Sequence, residues 1–180
     1  MTSHQGSVRL AQGAVVCLET KLVGNISIGP RSVIHPKASI IAEGGPVIMG
    51  ENNIVEEQCI IEHKPKENDR PNTLMIGSHN IFEVGCNIKA KVIGDNNVFE
   101  AKCYVGPDIE VGNGCIIGAG VRLVYKEKLP DNVIITGSQY NRTIAGDRPP
   151  PQTLQLDFLT KVLPNYHHLR RLKDQRPNVL

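Results

Sequence analysis

The chain has 180 residues, of which 20 are basic and 18 acidic, giving a formal net charge of +2 at pH 7. This balance creates no strong field for nucleic acid or an anionic membrane, so we expect neither as a partner. The first residues lack the apolar core of a secretory signal and no run of about 18 apolar residues occurs, so we expect a cytoplasmic protein without membrane insertion.

Aliphatic residues recur at every sixth position from the start of the chain. The first series is Leu10, Val16, Leu22, Ile28, Ile34 and Ile40. Neither an α-helix, with a period of about 3.6, nor a simple strand, with a period of two, explains this spacing. A short fixed repeat is typical of a solenoid, so we predict short parallel strands whose aliphatic side chains point to a common axis.

The same register returns after a slip at residues 43–45 and after a polar interruption. The later series are Met49, Val55 and Ile61; Ile76, Phe82 and Ile88; and Ile93, Phe99, Val105, Val111, Ile117 and Leu123. Three hexapeptides make one triangular coil of about 18 residues, so residues 8–146 predict an all-β solenoid of about seven coils. Hexapeptide repeats of this kind resemble the left-handed parallel β-helix, an exception to the right-handed crossover rule.

Small residues occupy the position four places after the repeated aliphatic residue. Four of the five cysteines fall in this class, namely Cys59, Cys86, Cys103 and Cys115, and no CxxC pair is present. A thiol packs as a compact hydrophobe inside a crowded corner. We therefore predict reduced, buried cysteines; a redox role is the alternative.

Three similar octapeptides occupy equivalent coil positions. They are MGENNIVE, IGSHNIFE and IGDNNVFE, which begin at residues 49, 76 and 93. Stacking would align their central asparagines in an internal amide ladder of Asn53, Asn80 and Asn97. It would also align their last residues in an external acidic column of Glu56, Glu83 and Glu100.

The acidic column is the candidate partner-binding site. Like charges on adjacent strands repel each other. The column is therefore either relieved by the nearby Lys91 and Lys102 or faces a basic partner.

Two segments break the repeat. Residues 62–74 replace the apolar rhythm with six charges and two prolines, so we predict an exposed loop inserted into the solenoid. Residues 147–152 contain three consecutive prolines and predict a stiff, extended linker.

Residues 153–173 predict a C-terminal helix that packs on one flat side of the solenoid. Its apolar positions are Leu154, Phe158, Leu159, Val162, Leu163, Tyr166, Leu169 and Leu172. Thr153 is the expected N-cap, and Pro164 should kink the helix or divide it in two. On this model, Phe158→Asp should detach the tail.

Histidine placement argues against an enzyme. A catalytic zinc needs three converging protein ligands, whereas His35, His63 and His79 are widely separated in the sequence. His79 stands where the other octapeptides have Asn, which indicates a corner residue. His63, in the polar interruption, is the best candidate for an acyltransferase base, but no paired acid, nucleophile or phosphate loop accompanies it. We therefore predict no catalytic, metal or cofactor-binding residues.

Several stretches together resemble the dynactin subunit 6 family, the smaller hexapeptide-repeat proteins of the dynactin pointed-end complex. They are GAVVCLE, IGPRSVIHPKASIIAEGGPVIMGE, IFEVGC and the tail PQTLQLDFLTKVLPNYHHLRRLK. The tail is the most specific, because many enzymes share hexapeptide repeats.

The resemblance implies a non-enzymatic adaptor of the cytoplasmic, microtubule-associated cytoskeleton, with the kinetochore as a further location. It implies pairing with dynactin subunit 5, contact with other pointed-end subunits including an actin-related protein, and an indirect link to dynein cargo adaptors in microtubule-based transport. The alternative is a homotrimeric hexapeptide-repeat acyltransferase or an enzyme like the gamma-type carbonic anhydrases.

Overall fold

The computed structural model describes residues 6–65 and 70–171. These residues form a β-solenoid of short parallel strands, about seven turns long, followed by one helix. The predicted solenoid of hexapeptide repeats with a C-terminal helix is confirmed.

The solenoid has three faces, each named here after one of its strands. The β2 face holds β2 (Val15–Val16), β4 (Val33–Ile34), β6 (Ile54–Val55), β9 (Ile81–Phe82), β12 (Val98–Phe99), β15 (Ile116–Ile117), β18 (Val133–Thr136) and the antiparallel β19 (Asn141–Ile144). The β7 face holds the first halves of β3 (Lys21–Ile28) and β5 (Ser39–Met49), then β7 (Ile60–His63), β10 (Asn87–Ile88), β13 (Tyr104–Val105) and β16 (Arg122–Leu123). The β8 face holds β1 (Val8–Leu10), the second halves of β3 and β5, then β8 (Leu74–Ile76), β11 (Val92–Ile93), β14 (Ile109–Val111) and β17 (Glu127–Leu129).

The repeated aliphatic residues fill the axis of the solenoid. From Val16 onward they are buried, except for Leu22, which is partly buried against the same core, as is Leu10 at the open first coil. Phe82 and Phe99 stack inside it with ring centroids 4.8 Å apart. Full burial of such side chains contributes roughly 1.5–3 kcal/mol each, so the six-residue register is the main source of stability.

Strands β3 and β5 turn from the β7 face to the β8 face without ending. Their register shifts beside Gly24, whose φ is +88°. A Cβ atom there would overlap the carbonyl oxygen of Ala42 in the next coil. The corner therefore requires glycine, both for the left-handed φ and for the close approach of the two main chains.

The corner between the β8 and β2 faces is a stack of left-handed residues. Its members are Gly13, Arg31, Asn52, His79, Asn96, Gly114 and Asn132, all with positive φ. His79, with φ +59°, matches Asn52 at +55° and Asn96 at +59°. The interpretation of His79 as a corner residue is confirmed.

The internal amide ladder lies just inside this corner. Asn53, Asn80 and Asn97 are fully buried. The Oδ1 atom of each accepts the main-chain N–H of the next coil, at 2.9 Å from Asn53 to Asn80, 2.9 Å from Asn80 to Asn97 and 2.7 Å from Asn97 to Cys115. The predicted ladder is confirmed.

All five cysteines are free and buried. Cys59, Cys86 and Cys103 stack at the corner between the β2 and β7 faces, and the Sγ atoms of Cys59 and Cys86 lie 2.9 Å apart. Contact with the Cys86 thiol and burial both raise the pKa of Cys103. A protonated, enclosed thiol is a poor nucleophile, so these residues serve as core.

The polar interruption is shorter than the predicted residues 62–74. Glu62 and His63 still belong to β7, Glu62 is only 8% exposed, and Leu74 is fully buried in β8. Residues 66–69 lie outside the described residues. Sequence polarity misplaced the start of the loop because a buried carboxylate is tolerated where cations neutralise it.

The C-terminal helix, α1 (Thr153–Tyr166), packs across the first coils of the β2 face. Leu156 and Leu163 are buried against Val15, Cys17, Val33 and Ile54. The N-cap is Gln152, not Thr153, and it forms no side-chain capping bond. The helix continues through Pro164, so a division into two helices is wrong; the kink stays a prediction.

The helix also ends earlier than the predicted residue 173. Residues 168–170 pair with the free edge of β2 instead, through Leu18 N to His168 O at 2.6 Å and Arg170 N to Val16 O at 2.8 Å. Residues 172 and 173 lie outside the described residues. No helix in the described ranges combines the length and hydropathy required to cross a membrane.

Candidate functional site

The acidic column lies along the corner between the β2 and β7 faces. Glu56, Glu83 and Glu100 each directly follow a β2-face strand, and those strands pair in register. The predicted stacking of the three glutamates is confirmed.

Each carboxylate in the column accepts a main-chain hydrogen bond from the next coil. The Oε2 atoms lie 2.8–2.9 Å from their donors, in the pairs Glu56 to Val84 N, Glu83 to Ala101 N and Glu100 to Ala119 N. Burial, with the neighbouring Glu83 carboxylate, raises the pKa of Glu56 despite this bond. The column therefore has a structural task that the sequence pattern did not indicate.

The expected lysine partners do not relieve the column. Lys91 pairs with Glu110 at 3.7 Å, on another side of the molecule. In the described ranges no ion pair joins Lys102 to the three glutamates. Amide N–H donors compensate the carboxylates instead, which leaves the column accessible to a basic partner.

A histidine–glutamate pair adjoins the column. His35 is 7% exposed, and its Nδ1 lies 2.8 Å from Oε1 of Glu57. Burial opposes ionisation of Glu57, but the hydrogen bond from His35, a main-chain hydrogen bond and the nearby His35 and His167 together outweigh it and lower the pKa of that carboxyl group. Within the described part of the chain, Nε2 of His35 is buried without a hydrogen-bond partner. The contact with Glu57 fixes the orientation of the His35 ring, which is enclosed.

His63 lines a pocket of about 300 Å³ where the polar interruption leaves the β7 face. Its Nε2 lies 2.8 Å from the carbonyl oxygen of Asn72. A carbonyl oxygen only accepts, so Nε2 carries the proton and Nδ1 is the basic nitrogen. The pocket thus contains the imidazole that sequence reasoning selected as a possible base.

The acidic side chain next to His63 is already neutralised. Oε1 of Glu62 lies 2.7 Å from Nζ of Lys64, and Oε2 lies 2.9 Å from Nζ of Lys89. Burial opposes ionisation, but the two ammonium groups lower the pKa of Glu62. Glu62 is consequently held as a carboxylate and is unsuited to protonate a leaving group, and the described lining has no Ser or Cys nucleophile.

The three histidines are not brought together. His35 lies at the acidic corner, His63 in the pocket and His79 at the opposite corner of the β2 face. Across residues 6–65 and 70–171, no three His, Cys, Asp or Glu side chains are grouped as metal ligands.

Comparison with solved structures relates the fold to transferases. A hexapeptide transferase family protein from Anaplasma phagocytophilum aligns with a TM-score of 0.67 over 89% of each chain at 15% identity. A UDP-N-acetylglucosamine O-acyltransferase from Moraxella catarrhalis aligns with a TM-score of 0.57 over 76% of this chain and 70% of its own, at 20% identity. Identities this low establish a shared fold only.

Comparison of sequences is more specific. The family model for the bacterial transferase hexapeptide (six repeats) matches residues 90–124. Dynactin subunit 6 of Xenopus tropicalis is 49% identical over 172 residues, covering 92% of this chain and 86% of that protein. Dynactin subunit 6 of Danio rerio is 49% identical over 93% of this chain and 89% of its own, and that of Nematostella vectensis is 46% identical over 91% and 92%. The chain therefore belongs to the dynactin subunit 6 family.

Proposed function

We propose that the chain is a non-enzymatic structural subunit at the pointed end of dynactin, where it pairs with dynactin subunit 5. The observation that carries this proposal is the similarity to dynactin subunit 6 proteins over more than nine-tenths of the chain. That extent includes both the coils and most of the helical tail, which a shared enzyme fold alone would not require.

The proposed partners and cellular location follow from membership of the dynactin complex. The chain contacts other pointed-end subunits, including an actin-related protein, and meets dynein cargo adaptors indirectly. It acts in the cytoplasm on the microtubule-associated cytoskeleton, with the kinetochore as a further location. A solenoid supports such a role because its side chains are ordered before a partner docks, so little conformational entropy is lost on binding.

The pocket chemistry supports a role without catalysis. His63 offers a basic nitrogen, but Glu62 is committed to two lysines and cannot act as its paired acid. A binding surface needs no such pairing.

The mass of the purified chain, alone and mixed with dynactin subunit 5, tests this proposal. Light scattering after size-exclusion chromatography should show a one-to-one complex with subunit 5. His63→Ala and His79→Ala should form the same complex, because neither residue belongs to the proposed contact. A stable homotrimer that ignores subunit 5 would contradict the proposal.

A hexapeptide-type acyltransferase is the second candidate, favoured by the position of His63 in a pocket of about 300 Å³. Acyl transfer to a small amine or hydroxyl that disappears in His63→Ala would support it. The support for zinc-dependent carbon dioxide hydration is weaker than that for acyl transfer, because His35, His63 and His79 do not converge on one site.

We also propose the acidic column as a partner-binding site. One carboxylate oxygen of each glutamate accepts a main-chain hydrogen bond, so the second oxygen is available to a lysine or arginine of another subunit. A basic partner would relieve the repulsion along the column.

A further inference from the structure

The β8 face presents one outward side chain per coil, in a straight column. Strand register places these residues one above another: Arg9, Ser27, Ile48, Met75, Val92, Glu110 and Lys128. Six steps of about 4.8 Å make this column roughly 29 Å long. It is therefore long enough to meet a second protein of similar size.

The middle of this column is apolar and exposed. Ile48 is 39% exposed, Met75 47% and Val92 36%. Their neighbours within each strand point inward, so these three side chains contribute nothing to the solenoid core. Alternation predicts polar residues at outward positions of a solvated sheet face. Three apolar residues on successive coils indicate instead a surface that another molecule covers.

The two ends of the column are cationic. Arg9 is exposed at the first coil, and no described acidic side chain forms an ion pair with it. At the other end one carboxylate, Glu110, is shared by Lys91 at 3.7 Å and Lys128 at 3.9 Å. Counted over the ion pairs of the described residues, each end therefore keeps about one positive charge without a carboxylate partner beside the apolar middle.

This charge pattern is unfavourable for a second copy of the chain in the two arrangements that overlap the whole column. An antiparallel pair centred on Met75 would place Arg9 opposite Lys128. A parallel pair would place each residue opposite its own copy, so Arg9 would face Arg9 and Lys128 would face Lys128. Both arrangements bring cations together, and like charges across an interface are strongly unfavourable.

We infer that the β8 face docks a different protein, whose surface offers an apolar strip across three coils with carboxylates at both ends. The inference rests on the proposed function only for the existence of an assembly that contains such a protein. The β8 face lies on the side of the solenoid opposite the acidic column. One partner can therefore bind the β8 face while another binds the column.

Met75→Asp tests this inference in the recombinant pointed-end assembly that contains dynactin subunit 5 and the actin-related subunit. We expect the variant to join at least tenfold more weakly than wild type, because an unpaired carboxylate would be buried in the apolar strip. Leu154→Asp is the control, since Leu154 is 86% exposed on α1, outside both the apolar strip and the acidic column; it should join like wild type. The unfolding midpoint of each variant, measured by circular dichroism, should stay close to that of wild type.

A charge test accompanies it. Arg9→Glu should weaken incorporation several-fold at low salt, whereas Arg9→Lys should not. Equal incorporation of Met75→Asp and wild type would overturn this inference and leave the proposed function intact. A wild-type homodimer that Met75→Asp dissociates would overturn the choice of a different protein. Failure of the wild-type chain to join would overturn the proposed function, and this inference with it.

Discussion

Side-chain oxygens carry main-chain hydrogen bonds between coils at several places. The buried asparagines accept the N–H of the following coil on the inside, and the column glutamates do so on the outside. Asp95, Asn113 and Asp131 form a third such series at a corner. Corners interrupt the strand ladders, so these oxygens satisfy amide groups that would otherwise lack partners.

Asn80 is the centre of the internal ladder. Asn80→Ala would remove the acceptor for Asn97 N–H and the donor to Oδ1 of Asn53, and would leave a small cavity. We expect the free energy of unfolding to fall by about 2–4 kcal/mol. Urea denaturation measures this loss, with the exposed Asn165→Ala as a control expected to change stability by less than about 0.5 kcal/mol. A similar value for the two variants would contradict the ladder's structural importance.

The acidic column allows charge and structure to be separated. Glutamine keeps an acceptor oxygen, so the triple variant Glu56→Gln, Glu83→Gln and Glu100→Gln should fold normally. If the column meets a basic partner, assembly should weaken about tenfold or more at low salt, and the difference should shrink at high salt. Salt-dependent binding measurements provide this comparison.

The control for that experiment changes net charge equally. Its three positions, Glu19, Glu43 and Glu51, are exposed acidic residues outside the column. The Gln triple variant at these positions should assemble like wild type. An equal loss in both triple variants would show a general charge effect rather than a contact at the column.

At the scale of elements, α1 docks through only part of the apolar set that its sequence suggested: Leu159 and Leu163 pack against the β2 face, and Leu156, which was not in that set, packs there with them. Leu156 and Leu163 are buried, whereas Leu154 is 86% exposed and Phe158 61%. Asp157, next to Phe158, pairs with Arg31 at 2.6 Å. The expectation that Phe158 anchors the tail is therefore wrong, because apolar residues cover most of this helix and spacing alone did not identify the docked side.

Leu156→Asp should detach the helix, and Phe158→Asp should not. The first change places a charge against Val33 and Ile54 in a closed contact, and the second places it in solvent. Hydrogen exchange of the helix amides separates the two outcomes. Protection lost in Phe158→Asp but kept in Leu156→Asp would refute the observed docking.

At the scale of the whole molecule, the chain itself covers the edge of the β2 face at its first coil and at its last coil. Residues 168–170 pair with β2 at the first coil, and β19 pairs antiparallel with β18 at the last. The predicted span of the β-helix to residue 146 is thus too long, since residues 141–144 form a reversing strand rather than another coil. Such caps limit edge-to-edge stacking of copies and direct binding toward the faces.

The three faces then differ in what they offer. The first coils of the β2 face are covered by α1, the β7 face bears the pocket around His63, and the β8 face exposes Ile48, Met75 and Val92. The acidic column runs along the corner opposite the β8 face. A molecule with different surfaces on different sides suits contact with several partners.

Much of this arrangement could be predicted from local spacing. A position six residues from Ile93 falls inside the solenoid wherever the coil continues, so Phe99 and Val105 were identifiable as core. The stacking of Asn80 on Asn97 followed from the same register. Glu62 could not be predicted as buried, because its burial depends on Lys64 and on Lys89 from the next coil.

The sequence by itself determined which side chains enter the axis, that the corners stack, and that a helix follows the coils, because each of these depends on a periodic pattern of neighbouring residues. Only the tertiary structure decided which side of that helix docks, how the column carboxylates are satisfied, and which sheet face stays apolar and open. Those outcomes depend on contacts between coils and on the path of residues 168–170 back to β2, and the six-residue spacing contains no information about either.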